Sequence, residues 1–251
     1  MNCDAEKVIY MDNNATTRVA PEVVDVMMPF LTDCYGNPSS MHNFGGQVGG
    51  AVEKARAQVA ALIGARPEEI VLTSGGSESN NTVILGLAHS LQDKGRHIIT
   101  SAVEHPAVLE PCPALEREGF RVTLVPVDGV GRVDPTEVAR AVTPETVLIT
   151  IMHANNEVGT IQPVAEISAL ARQHGILLHT DAAQSAGKIP VDVDDLGVDF
   201  LTIAGHKLYA PKGVGALYIR TGRELPSLIH GAGHEGGRRA GTENVLLDVG
   251  L

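Results

Sequence analysis

The chain has 251 residues, 43% of them hydrophobic, with a formal net charge of -11 and a pI near 5.3. That is enough apolar material for one large domain or two small ones, and the acidic balance argues against binding a phosphate backbone, which calls for a basic face that releases counterions. No apolar run reaches membrane-spanning length, and the opening MNCDAEKVIYMDNNATT lacks the basic and apolar segments of a secretory signal, so the expectation is a cytoplasmic protein with small-molecule or protein partners, no nucleic acid and no membrane. Cys3, Cys34 and Cys112 are widely scattered, without CxxC spacing or a zinc-type cluster, and read as reduced thiols; Cys112, between Pro111 and Pro113, reads as packing at a helix start.

In chain order, EIVLTS predicts a strand, TVILGLAHSLQDKG a helix, HIITSA a strand, and AVLEPCPALEREG a helix. RVTLVPVD, TVLITIMH and ILLHTD continue the strands, with PTEVARAVT and PVAEISALARQHG as the helices between them. Asp134 and Pro135 mark one helix start, and QDKG and RQHG place Gly95 and Gly175 at helix ends. The alternation predicts an α/β fold with a largely parallel sheet covered by helices on both faces. The last two runs, DFLTIA and GALYIR, are too close together for a crossover helix and should pair antiparallel, which makes the sheet mixed.

Ligands of such sheets lie beyond the carboxyl ends of the parallel strands. The segments just after the predicted strands are all polar, glycine-rich or titratable: GGSESNN, VEHP, ANNEVG, AAQSAGK and GHK. TSGGSESN runs from a strand through Gly75 and Gly76 into a helix start at Ser77, a plausible seat for a phosphate, although the same residues serve ordinary capping. Its glycine spacing fits neither a P-loop nor a dinucleotide fingerprint. Asp181 ends a buried-type strand with Gln184 one helical turn on, and Lys207 sits in the tight turn between the last two strands. A strand-end lysine, a strand-end carboxylate and a helix-terminus phosphate seat are what pyridoxal phosphate requires: an amine for its aldehyde, a partner for its ring nitrogen, and amides for its phosphate. His105 and Asn156, from two further strand ends, could stack on the ring and hydrogen-bond its hydroxyl.

YMDNNATTRVAPEVVDVMMPFL, YGNPSSMHNFG, VLTSGGSESNN, VEHPAVL, MHANNEVGTIQPV, HTDAAQSAGKIPVDV, GHKLYAPKGVGALYIR and RRAGTENV, in that order, resemble the cysteine desulfurases of the NifS and IscS type, over about Val8 to Leu251. These are class V, aminotransferase-like pyridoxal phosphate enzymes that supply sulfur for iron-sulfur cluster assembly. The resemblance implies the large domain of the fold type I transferases, with Lys207 as the Schiff-base lysine, Asp181 on the ring nitrogen, His105 stacked on the ring, and Gln184 and Asn156 on its hydroxyl side. It implies Gly76, Ser77 and His206 on the phosphate, Thr242 reaching the phosphate of a neighbouring subunit in a homodimer, L-cysteine as substrate, and a sulfur-acceptor or scaffold protein as partner.

The sequence departs from the family's pattern in four places. Ala204 stands where many relatives place a serine, removing one phosphate hydrogen bond worth about 1.5 to 3 kcal/mol at most. Gly236 stands where arginine is common, and Asn80 where aspartate is common. The family's chain continues into a smaller domain that bears the nucleophilic cysteine and a substrate-gripping arginine, and neither has a counterpart here. The resemblance therefore predicts residues 1–20 as an N-terminal arm and 21–251 as the cofactor-binding large domain, without the small domain and with little persulfide formed by this chain. Another class V enzyme, such as a selenocysteine lyase or aminotransferase, would use the same cofactor residues, although HANNEVGT and RRAGTEN favour the desulfurases; a domain that binds the cofactor without turnover is the remaining alternative.

Overall fold

The computed structural model describes residues 8–251; Cys3 and the first seven residues of the predicted arm lie outside them. Helices α1 (Pro21–Thr32) and α2 (Asn43–Leu62) come first, followed by strand β1 (Ile70–Thr73), helix α3 (Gly76–Leu91) and strand β2 (His97–Ser101). Next come α4 (Pro106–Leu109), α5 (Pro111–Arg117), β3 (Arg121–Val125), α6 (Pro135–Ala141) and β4 (Thr146–Thr150). The chain continues through α7 (Val164–Gln173), β5 (Leu177–Asp181), α8 (Val193–Leu196), β6 (Phe200–Ala204), β7 (Gly215–Ile219) and α9 (Val245–Val249).

The strands form one sheet in the order β1-β7-β6-β5-β4-β2-β3. All neighbours are parallel except β7, which runs antiparallel to both β1 and β6. The predicted mixed, mainly parallel sheet is therefore the observed one, with the reversed strand where the short DFLTIA to GALYIR connection demands it. Side chains alternate between two apolar layers. Ile70, Leu72, Ile99, Ile149, Leu178 and Leu201 pack on one face, and Val71, Ile98, Leu148, Phe200 and Leu217 on the other. Period-two alternation with both faces apolar requires helices on both sides, and α3 packs on the second face.

Two predicted elements differ in detail. AVLEPCPALEREG is two short helices, because Pro111 lacks the N–H that would continue the ladder from α4. Helix α3 ends at Leu91, so Gly95 lies beyond its cap, whereas Gly175 follows the last residues of α7 with φ +67°. Asp134 caps α6 as predicted, accepting from the Thr136 N–H at 2.8 Å, and Cys112 is buried in the first turn of α5. Among the described residues no helix is long and apolar enough to cross a membrane, and no His, Cys, Asp and Glu cluster could hold a metal ion.

Candidate functional site

The register brings the carboxyl ends of the parallel strands to one rim. Asp181 pairs with Thr202 across β5 and β6, and Gly215, the first residue of β7, pairs with both Ala204 and Thr73. A Cβ at Gly215 would lie 2.7 Å from the Cα of Gly75, so only glycine lets β7 start directly beneath the turn into α3. The ends of β1, β5 and β6 and the start of α3 thus converge on an open cavity of about 470 Å3. A larger cleft, about 900 Å3, opens at the amino ends of β5 and β6. Its Arg220 and Arg223 are already paired with Asp194 and Asp199.

Lys207 ends a 3-10 turn, Gly205–Lys207, that comes directly after β6. The turn is closed by backbone bonds from Leu208 and Ala210 to the Gly205 carbonyl and by the N-terminal segment, whose Thr17 N–H and hydroxyl both donate to the His206 carbonyl. Lys207 is only 9% exposed, which removes the reading of a solvated turn lysine. Burial pushes its amine below the ordinary lysine value, an effect opposed by the carboxylates of Asp181, Asp12 and Glu157.

Asp181 is buried at the end of β5. Its Oδ1 accepts from the Ala183 N–H at 2.9 Å and its Oδ2 from Asn80 Nδ2 at 2.7 Å. Opposite it, α3 begins at Gly76 with no side-chain cap on Gly75, leaving the amides of the first turn open toward the cavity. Glu78, an acid that would oppose an anion there, is held aside: its carboxylate takes Arg239 Nε at 2.9 Å and the Ser74 N–H at 2.8 Å.

The remaining predicted residues fall on the same cavity, with one exception. Gly76, Ser77, His105, Asn156, Gln184 and His206 line it together with Asp181 and Lys207. His105 is fixed as the cap of α4, its Nδ1 accepting from the Ala107 N–H at 3.0 Å. Gln184 donates to the Asn14 carbonyl and accepts from Lys188 Nζ. Burial, then the charges of Lys207 and Lys212, push the His206 imidazole below its ordinary value. Thr242 is exposed and does not line the cavity. Ala204 does line it, so the hydroxyl that the sequence lacks is missing at the cavity wall itself. Gly236 has φ +64°, a left-handed conformation in which an arginine would be strained.

Sequence reasoning misses two residues beneath the rim. Asn80 stands out in the sequence only as a departure from the family's pattern, yet its spacing from Gly76 puts it on the same face of α3. Glu104 is buried between β2 and β4, where it accepts from the Ser101 hydroxyl at 2.6 Å and the Met152 N–H at 2.9 Å. Burial drives its carboxyl up to about 8 against those bonds, and Asp181 adds to the rise.

The family model for aminotransferase class-V matches residues 9–251. A cysteine desulfurase IscS of Dictyoglomus turgidum is 54% identical over 98% of this chain and 62% of its own length. Among solved structures, SspA in complex with cysteine is 46% identical with a TM-score of 0.94, over 97% of this chain and 71% of that one. A NifS-like protein is 45% identical with a TM-score of 0.93, over 96% and 67%. The chain spans about three fifths of the length of the curated relatives it matches.

Proposed function

The chain belongs to the aminotransferase class-V family, with cysteine desulfurases as relatives, and from that premise we propose that it carries the pyridoxal phosphate site of a cysteine desulfurase. The observation that carries this reading is the convergence of a buried Lys207, the Asp181 carboxylate and the open amides of α3 on one cavity. The donor set fits the group. Lys207 offers an amine for the aldehyde, Asp181 an acceptor for the ring nitrogen, and the Gly76 and Ser77 amides with His206 bind the phosphate; Asn156 and Gln184 face the ring hydroxyl and His105 covers the ring. When bound, pyridoxal phosphate supplies an electron sink for bonds at the substrate's α-carbon.

The substrate in this reading is L-cysteine. Lys207 moves the proton at its α-carbon once its own amine is free, and Asp181 holds the proton on the ring nitrogen. Thr242 reaches a second copy of the chain in a homodimer, and residues 21–251 act as the cofactor domain behind a short N-terminal arm. Converting cysteine to alanine leaves a sulfur atom that a thiolate must accept as a persulfide, for delivery to an iron-sulfur assembly partner. Neither described cysteine lines the cavity, and burial pushes the Cys112 thiol up to about 11, so neither serves as that nucleophile.

The test is to incubate the chain with pyridoxal phosphate, reduce with borohydride and locate the adduct by peptide mass spectrometry, with Lys207→Ala as control. An adduct confined to Lys207, with no persulfide on Cys34 or Cys112 after cysteine is added, is the expected result. Folded protein without an adduct would overturn the cofactor site.

A further inference from the structure

Asn80 is 1% exposed, on the face of α3 that looks into the cavity. With Asp181 as a carboxylate that can only accept, the 2.7 Å contact from Nδ2 to Asp181 Oδ2 fixes which way the amide points. The Asn80 carbonyl oxygen is then turned away from the carboxylate, buried and without a hydrogen-bond partner among the described residues. For the fold alone this is a poor choice. An unpaired buried carbonyl costs stability, and an apolar side chain of the same size would incur no such cost. The one clear return for the amide is the bond to Asp181.

That bond spans two elements. Asp181 ends β5 and Asn80 belongs to the helix whose first-turn amides face the same cavity. With the Ala183 N–H on Oδ1, the carboxylate is gripped at both oxygens, one grip from its own loop and one from α3. Resting on the reading of the cavity as a pyridoxal phosphate seat, we propose that Asn80 is a positioning residue that acts through Asp181: it sets the carboxylate against the ligand's ring nitrogen and ties that contact to the helix that holds the phosphate. Its influence on the ligand passes through Asp181 and vanishes when Asp181 no longer carries a carboxylate.

The experiment is a double-mutant cycle on the full chain with pyridoxal phosphate as the probe, reading the dissociation constant by fluorescence and ultrafiltration, with no turnover required. Asn80→Leu should weaken binding about tenfold, the worth of one hydrogen bond to a charged group, while leaving the thermal midpoint unchanged or raised. In an Asp181→Asn background the same substitution should change binding less than about twofold. Equal losses in both backgrounds, or a loss that tracks a fall in thermal midpoint, would assign Asn80 to packing and overturn the proposal, as would no loss in Asn80→Leu. If Asp181→Asn alone binds as tightly as the unaltered chain, the reading of the cavity falls first and the role of Asn80 with it.

Should Asn80→Leu fail to fold, Asn80→Asp keeps the size of the side chain and puts a second carboxyl against Asp181. Two adjoining carboxyls hold a proton between them. Binding should then weaken progressively as pH rises and recover as it falls, a profile the unaltered chain lacks. Identical pH profiles for the two proteins would overturn the proposal.

Discussion

Lys207 joins two demands that pull against each other: it must be buried enough to be uncharged and open enough to be reached. Its position after a strand end gives both. Because burial lowers its pKa from the ordinary 10.5, the neutral, nucleophilic amine becomes abundant at lower pH than in a free lysine. The rate of borohydride-trapped adduct formation should therefore rise with pH and level off below the ordinary lysine value of 10.5. A profile that keeps rising past that point, tracked by stopped-flow absorbance, would mean that Lys207 is as solvated as a surface lysine. Lysine, carboxylate and glycines could be read from the sequence because each comes immediately after a strand signal. Asn80 and Glu104 could not, since each acquires its role only from a neighbour distant in the chain: Asp181 for one, Met152 for the other.

A single buried ion pair ties α2 to the segment before α9. Glu235, in a 3-10 turn Glu235–Gly237 and with φ +52°, accepts from both terminal nitrogens of Arg56 and from the Leu72 N–H. Removing one member strands the other as an uncompensated buried charge, so Glu235→Ala should cost about 3 to 5 kcal/mol in urea unfolding. Arg56→Met combined with Glu235→Leu should cost clearly less, and if the double substitution costs more than Glu235→Ala the pair is worth more than its desolvation. The individual elements were legible from apolar periodicity, helix capping residues and the short connection before GALYIR. Their order across the sheet was not. That β1 lies beside β7 instead of β2 depends on residues far apart in the chain meeting across an edge, and no local pattern carries it.

Across the molecule, buried titratable groups fix how stability varies with pH. His97 and His179 are buried inside the sheet, bonded to threonine hydroxyls, and burial lowers them to about 4 and about 3. Their neutral forms stabilise the fold above the ordinary histidine value of 6.5, and that contribution is lost as pH falls through the folded values, because the unfolded chain takes up protons that the folded chain refuses. Glu104 and Asp248 work the other way. Raised to about 8 and about 7 by burial, they lend stability below the ordinary carboxyl range that declines as pH rises toward those values. Between about pH 6.5 and about 8 only the carboxyls act, so the thermal midpoint should fall across that window, and Glu104→Gln should flatten the fall. Calorimetry giving the same slope for both proteins would show Glu104 ionised in the folded chain.

The reversed strand also has a consequence for biosynthesis. On a ribosome, β2, β3, β4, β5 and β6 can pair with one another as they emerge, but β1 is offered its only strand neighbour when residues 215–219 have been made. Until then α3, which bears the amides and Asn80, has no completed sheet edge to settle against, and an apolar strand made early waits unpaired for one made late. A nascent chain halted before β7 should be a substrate for chaperones, and cofactor loading must come after translation through that strand.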